Sequence, residues 1–404
     1  MINVAIMGYG NIGSGVGYVL THNKDLVSKK AGQEINLKYV LDLREFPGDP
    51  LEDKIIHDYN VIVEDPDVQI VVETMGGTRP AYQFVKGCLE AGKSVATSNK
   101  ELVAAHGAEL LKIAEEKSVN FMFEASVGGG IPIIHPLNGC ITSDEVTEIT
   151  GILNGTTNYM LTCMAKDGVD FDTILKKAQE LGYAERNPEA DVEGFDACRK
   201  ISILASMAFG AQVDYEDVYT EGITKISAED MKYANAMGMA IKLFGTCKRQ
   251  DGKVFAMVTP VMVGEQNPLY TVNDVMNGIL VRSEVTGDLM FYGAGAGKLP
   301  TASAVVADVI EEARNLNKTV MTRWSQEKLQ LADYRESRKQ FFLRAAGDET
   351  AKKAAQEVFP DAKEVCLKDM PGEFALVTSV ISEAEFAEKC EKIAGVISKI
   401  RIAE

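Results

Sequence analysis

The chain begins with a short β-forming apolar run, INVAIM (2–7), that leads directly into Gly8-Tyr9-Gly10-Asn11-Ile12-Gly13. A G-x-G-x-x-G loop between a strand and a helix admits few folds. Gly8 permits the tight turn, Gly10 lets backbone approach a pyrophosphate, and Gly13 lets the helix pack close against its strand. The helix opens at Asn11 and Ile12, so its positive end faces the phosphates. The alternation continues with strands at 36–43, 68–75, 94–99 and 119–125 and helices at 80–92 and 101–117. Strands alternating with helices predict a doubly wound parallel sheet of the Rossmann type, α/β in class, over residues 1–132.

Past Gly128-Gly129-Gly130 the pattern changes. Amphipathic helices at 172–182 and 195–210 mix with β-rich stretches such as 254–263, which predicts an inserted α+β domain over 133–300. The helical run 302–315 returns to the first domain, completing it over 301–325. A polar stretch, 325–340, reads as a helical or loose linker. Residues 338–404 then read as a βαββαβ module of ferredoxin-like type. At 404 residues the chain is long enough for this division.

Composition narrows the function. A net charge of −17 argues against a nucleic-acid partner. No apolar run reaches the roughly 18 residues of a membrane span, and no leader pattern precedes the first strand. Seven cysteines, odd in number and without a C-x-x-C pair, point to free thiols in a reducing, cytoplasmic setting rather than to a disulfide framework or a zinc site. His22, His57, His106 and His135 are all the histidines present, so acid–base work is expected of lysine or carboxylates.

At the end of the second strand Asp42 is placed to accept from ribose hydroxyls, which favours NAD, while Arg44 could instead meet the 2′-phosphate of NADP. The most informative stretch is Ala178–Lys200. Pro188 and the glycines mark loop, and a helix starts near Gly194. Asp196 and Lys200, four apart, share one helix face. Residues 201–210 carry no charge, so this helix is largely buried and its lysine must be paired or have a shifted pKa. Oxidising an alcohol needs a group to take the hydroxyl proton while hydride leaves, and a buried lysine suits that task. A substrate ammonium would need carboxylates, and Glu185, Asp191 and Asp196 fall within twelve residues.

From Ala178 to Lys200 the spacing A-x3-G-Y-A-x2-N-P-x2-D-V-x-G-x-D-x3-K resembles the signature of the homoserine dehydrogenases. TSNKEL (97–102), FEASVGGGIPI (123–133), GILNGTTNYML (151–161) and FYGAGAGKLPTASAVVAD (291–308) are similar to the same family in the same order, over roughly residues 1–320. The resemblance implies reversible oxidation of L-homoserine to L-aspartate 4-semialdehyde with NAD(P), in the biosynthesis of threonine, methionine and isoleucine. It implies Lys200 as the proton-transfer lysine with Asp196 beside it, and Lys100 as a second active-site lysine. Gly155, Thr156 and Tyr183 would line the amino-acid pocket with Asp191 and Glu185. Glu185, Gly182 and Lys100 would also face the cofactor, and Gly295 and Gly297 would close over it. Glu124, Val127, Gly129 and Ile131 resemble a sodium-type cation site made of one carboxylate and main-chain carbonyls. A homodimer or homotetramer is expected.

The tail resembles an ACT domain, a module that in this family often binds an inhibitory amino acid such as threonine. It departs from the usual pattern. The junction after its first strand is RAAGDETAKK (344–353), and the acidic KDMPGE element (368–373) falls between the second and third strands instead. An effector site and a purely dimer-forming module both remain open.

Overall fold

The computed structural model describes residues 1–367 and 370–403. The chain divides into two compact units. One comprises Met1–Val146, Ser202–Tyr215 and Phe291–Leu329, the other Thr147–Ile201, Glu216–Met290 and Gln330–Glu404.

The first unit is built on six parallel strands, β1 (Ile2–Met7), β2 (Ile35–Leu41), β3 (Ile55–Ile56), β4 (Val68–Glu73), β5 (Ser94–Thr97) and β6 (Phe121–Met122). Their spatial order is β3-β2-β1-β4-β5-β6, with every pairing parallel. Strand β1 is buried at all six positions, as a central strand covered on both faces must be. The order reverses between β1 and β4. Ligands of such sheets bind at this switch point, outside the carboxyl ends of the strands. The helices Asn11–His22 and Lys298–Arg314 share one core with the sheet: Val16 and Leu20 meet Ala302, Val305, Val306 and Val309 against Val4, Ile6 and Val72. The run 302–315 thus folds back onto the first sheet.

The same helix carries an unusual buried polar cluster. Asp308 and Glu312, one turn apart, are both fully buried. Asp308 Oδ2 accepts from the Glu124 amide at 3.0 Å, and its Oδ1 lies 2.8 Å from His135 Nε2. Neither carboxylate oxygen of Glu312 has a hydrogen-bond partner. A buried carboxylate in that position is expected to be neutral, and burial pushes its pKa well up. Burial likewise raises Asp308 to about 6, while pairing with Asp308 raises His135 to about 8. Both groups bind their protons more tightly folded than unfolded. Stability from Asp308 is therefore lost from about pH 4 to 6, and stability from His135 from about pH 6.5 to 8. The melting temperature is expected to fall between pH 6 and 8.5, with His135 accounting for about 1 kcal/mol given its partial exposure. His135→Gln should flatten that slope in a thermal melt series. A mutant that tracks the parent at both pH values would refute the assignment.

The second unit holds a long mixed sheet. Its strands run in the order Gly287–Ala294, Met276–Ser283, Val146–Ile152, Met239–Gln250, Lys253–Gly264, Val396–Ala403, Arg338–Ala346, Glu373–Val377 and Lys363–Val365. Met239–Gln250 and Lys253–Gly264 form a long antiparallel hairpin. The last strand then pairs in parallel with that hairpin, Val261 opposite Arg401 and Val263 opposite Ala403. The final four strands keep the antiparallel βαββαβ order that the tail predicts, with the first strand between the fourth and the third. Their sheet, however, is continuous with that of the preceding segment, so residues 338–404 pack as part of the second unit. Arg344 ties the tail in further. It donates to Asp230 Oδ1 at 3.0 Å, a nearly dry pair, and to Glu373 Oε2 at 2.9 Å and Ser227 Oγ at 3.0 Å, both partly buried.

Not every local expectation holds. The polar stretch 325–340 is not a helical linker. Ser325–Lys328 forms a strand against Ala211–Gln212, because Ser325 N donates to Gly210 O and Leu329 N to Gln212 O. Of the KDMPGE element, Lys368 and Asp369 lie outside the described residues. Among the described residues no helix is long and apolar enough to cross a membrane.

Candidate active site

In the first unit the glycine loop sits at the switch point. Gly8 adopts φ +96°, and a Cβ there would meet Met75 at 2.9 Å. A Cβ on Gly13 would lie 1.9 Å from the Gly8 carbonyl, so helix and turn approach as only glycine allows. At Gly10 nothing lies within 4 Å, which leaves a cradle open beside the backbone. Gly10 caps the helix without any side-chain hydrogen bond, and the first turn carries no acid. That donor set fits a pyrophosphate. Thr74, after β4, donates to Gly8 O at 2.7 Å and fixes the turn.

The adjacent cavity of about 470 Å³ is lined by Gly8, Gly10, Asp42, Arg44, His57, Thr74 and Met75, among others. Asp42 accepts from the Tyr9 amide at 2.8 Å and from Arg44 through Nε at 2.9 Å and Nη2 at 3.0 Å. The Arg44 guanidinium holds the Asp42 carboxyl down at about 2. His57 reaches the Asp42 carbonyl at 2.7 Å and Glu45 at 2.9 Å. No sequence motif marks Thr74, Met75 or His57. Position at the carboxyl ends of parallel strands is the signal that finds the first two.

In the second unit the signature residues converge. The helix Phe195–Phe209 brings Asp196 and Lys200 together, Nζ donating to Asp196 Oδ2 at 2.8 Å. Lys200 also donates to the main-chain carbonyl of Leu153 at 2.7 Å. Lys200 is 9% exposed and Asp196 6%, so the pair is largely dry. Asn154 joins the cluster, its amide donating to Asp191 Oδ1 at 2.7 Å and to Asp196 Oδ2 at 2.9 Å. Taken alone, the dipeptide Asn154-Gly155 reads as a turn. Next in the chain Gly155 opens the helix Gly155–Asp167, and a Cβ on it would sit 2.7 Å from the Val275 carbonyl. Thr156 Oγ1 donates to Tyr183 O at 2.7 Å, and the exposed Tyr183 ring packs edge-on against Tyr159. Gly182, with φ +75°, and Glu185 are exposed on the same loop, where Gln179 donates to the Glu185 carbonyl at 3.0 Å.

Lys100 belongs to the first unit, at the start of the helix Lys100–Lys117, whose cap Asn99 accepts from Leu102 N. Gly295 and Gly297 lie there too, Gly297 capping Lys298–Arg314 at φ +125°. Glu124, expected as a cation ligand, is buried. Its carboxylate accepts three main-chain N–H groups, of Ile133 at 2.6 Å, Ile134 at 2.9 Å and His135 at 2.7 Å. A Cβ on Gly128 would lie 2.2 Å from Ile131 O, and one on Gly129 2.3 Å from Gly295 O. Among the described residues no cluster of three acidic, histidine or cysteine side chains could hold a metal. All seven cysteines are free thiols.

A further cavity of about 450 Å³ in the second unit is lined by Glu193, Tyr219, Glu221, Glu383 and Arg401, among others, and holds none of the expected site residues.

Comparison with known proteins agrees with this geometry. Residues 8–124 match the family model of the homoserine dehydrogenase NAD-binding domain, and residues 132–310 that of homoserine dehydrogenase. The chain is 36% identical to homoserine dehydrogenase of Bacillus subtilis over 389 residues, covering 95% of this chain and 85% of that one. It is 44% identical to the Mycobacterium leprae enzyme over 324 residues, or 78% and 73%. A crystal structure of a homoserine dehydrogenase from Thiobacillus denitrificans superposes with TM-score 0.92 at 33% identity, over 100% of this chain and 98% of that one. A hyperthermophilic archaeal homoserine dehydrogenase in complex with NADPH superposes with TM-score 0.66 at 25% identity, over 78% and 99%. With its nucleotide cradle at one sheet and its buried lysine–carboxylate cluster in the other unit, the chain belongs to the homoserine dehydrogenase family, NAD(P)-dependent oxidoreductases acting on a CH–OH group.

Proposed function

We propose that Lys200 is the proton acceptor in the oxidation of L-homoserine to L-aspartate 4-semialdehyde. The carrying observation is its double anchoring to Leu153 O and Asp196. A neutral amine has two N–H donors and one lone pair. With both donors engaged, the lone pair is directed at the remaining position, where a substrate hydroxyl would sit. Bound NAD(P) supplies the hydride acceptor. Asp196 orients the amine and balances its charge after transfer. Asp191 and Glu185 serve the substrate ammonium, and Gly155, Thr156 and Tyr183 shape the pocket, with Gly155 leaving room for main chain. Lys100 acts as a second lysine toward substrate and cofactor. Gly182 gives the loop its backbone freedom near the cofactor, and Gly295 and Gly297 close over it.

For the cofactor, Asp42 accepts from the adenosine ribose, which favours NAD, and Arg44 is the group available to a 2′-phosphate. The archaeal relative's NADPH supports this second use of Arg44. Arg44→Ala is expected to lower kcat/KM with NADPH by about tenfold or more, a lost charge-assisted contact, while sparing NADH. An unchanged ratio between the two nucleotides would remove Arg44 from recognition.

A monovalent cation at Glu124, Val127, Gly129 and Ile131 is best accommodated by main-chain carbonyls, since the Glu124 carboxylate is already engaged. The tail's strand order supports an ACT-like reading, as an effector-binding or dimer-forming element of a homodimer or homotetramer. Initial rates with aspartate semialdehyde, comparing NADH with NADPH, with and without threonine and with and without sodium, test substrate, cofactor, effector and ion together. Absence of turnover with either nucleotide would overturn the reading.

A further inference from the structure

We infer that Asn154 is a positioning residue for the proton transfer, its side-chain amide fixing Asp191 and Asp196 relative to each other and to Lys200. The inference rests on the reading of Lys200 as proton acceptor.

Asn154 is the last extended residue before the helix Gly155–Asp167. Its Oδ1 accepts from Thr157 N at 2.9 Å and from Thr157 Oγ1 at 3.1 Å. That capping bond orients the amide: with the oxygen toward the helix, the –NH₂ must face the other way. Both of its hydrogens are then engaged, one by Asp191 and one by Asp196. The two carboxylates come from separate helices, Glu189–Val192 and Phe195–Phe209. Two like charges would repel, and a neutral double donor between them meets both without adding charge.

The oxygen of Asp196 that accepts from Asn154 is the one that accepts from Lys200. The neighbouring residue, Leu153, supplies the second acceptor of Lys200. One strand end, 153–154, therefore sets both anchors of the amine, directly through the carbonyl and indirectly through the amide. Asn154 is 7% exposed, so water is a poor substitute for either donor.

Two variants separate positioning from capping. Asn154→Ser keeps a good helix cap and removes both amide N–H donors, leaving one short hydroxyl in their place. Asn154→Asp keeps the cap and shape but puts a third carboxylate where the donors were. Asn154→Ser is expected to lower kcat by about 10- to 100-fold, the factor for a buried donor lost, with dinucleotide affinity and melting temperature near those of the parent. Asn154→Asp is expected to lose more at neutral pH and to shift the acid limb of the kcat pH profile upward. A fallen melting temperature in Asn154→Ser with an unmoved profile in Asn154→Asp would assign Asn154 to the helix cap alone and overturn the inference. Parental kcat and profile in both variants would overturn it as well. If Lys200→Met retains turnover, the underlying reading fails instead, and the two failures are thereby told apart.

Discussion

Lys200→Met is expected to abolish nearly all homoserine oxidation, by about 10²–10⁴-fold in kcat, the usual worth of a positioned general base. Methionine fills the alkyl volume of lysine, so the buried helix face keeps its packing. What disappears is the amine held by Leu153 O and Asp196 Oδ2. Asp196 and Asp191 keep a donor in Asn154, which limits the cost of leaving buried acceptors unpaired. Dinucleotide binding should survive, because the cradle belongs to the other unit. Fluorescence titration with NADPH beside steady-state rates reads both. Turnover within tenfold of the parent, in a variant that still binds cofactor, would exclude Lys200 as proton acceptor.

The glycine loop gives the second large effect, and it separates two functions of glycine. Gly13→Ala places a Cβ 1.9 Å from the Gly8 carbonyl, which is backbone and cannot swing aside. The helix Asn11–His22 must lift from β1. Overpacking of this kind costs about 1–3 kcal/mol, and both melting temperature and cofactor affinity should fall. Gly10→Ala meets nothing within 4 Å. It should leave stability within about 0.5 kcal/mol, the ordinary range for a surface change, and weaken NAD(P) binding alone by filling the cradle. Calorimetry and a binding titration on the two variants form the test. Equal stability loss in both would show that the cradle is not open at Gly10.

Much of the site was legible because its chemistry is local in sequence. Asp196 and Lys200 lie one helical turn apart, and periodicity alone puts them on one face. The loop Gly8–Gly13 carries its own geometry through φ and the absence of a Cβ. Asn154 was not legible, because its importance comes from groups 37 and 42 positions away. The partners of Glu124 were not legible either, for the same reason. Its carboxylate meets the amides of Ile133, Ile134 and His135 only once the fold brings them onto it.

By itself, then, the sequence determined the parallel α/β sheet, the nucleotide loop, the lysine and its carboxylates, and the βαββαβ order of the tail. These follow from periodicity, turn chemistry and short-range spacing. Tertiary structure alone decided that the tail joins the long mixed sheet, through Val261–Val263 against Arg401–Ala403. It alone decided that Ser325–Lys328 is a strand, that Arg44 engages Asp42, and that Asn154 stands between two aspartates. Strand partners and buried polar partners are set by which distant groups must satisfy each other once water is excluded, and no local pattern encodes that.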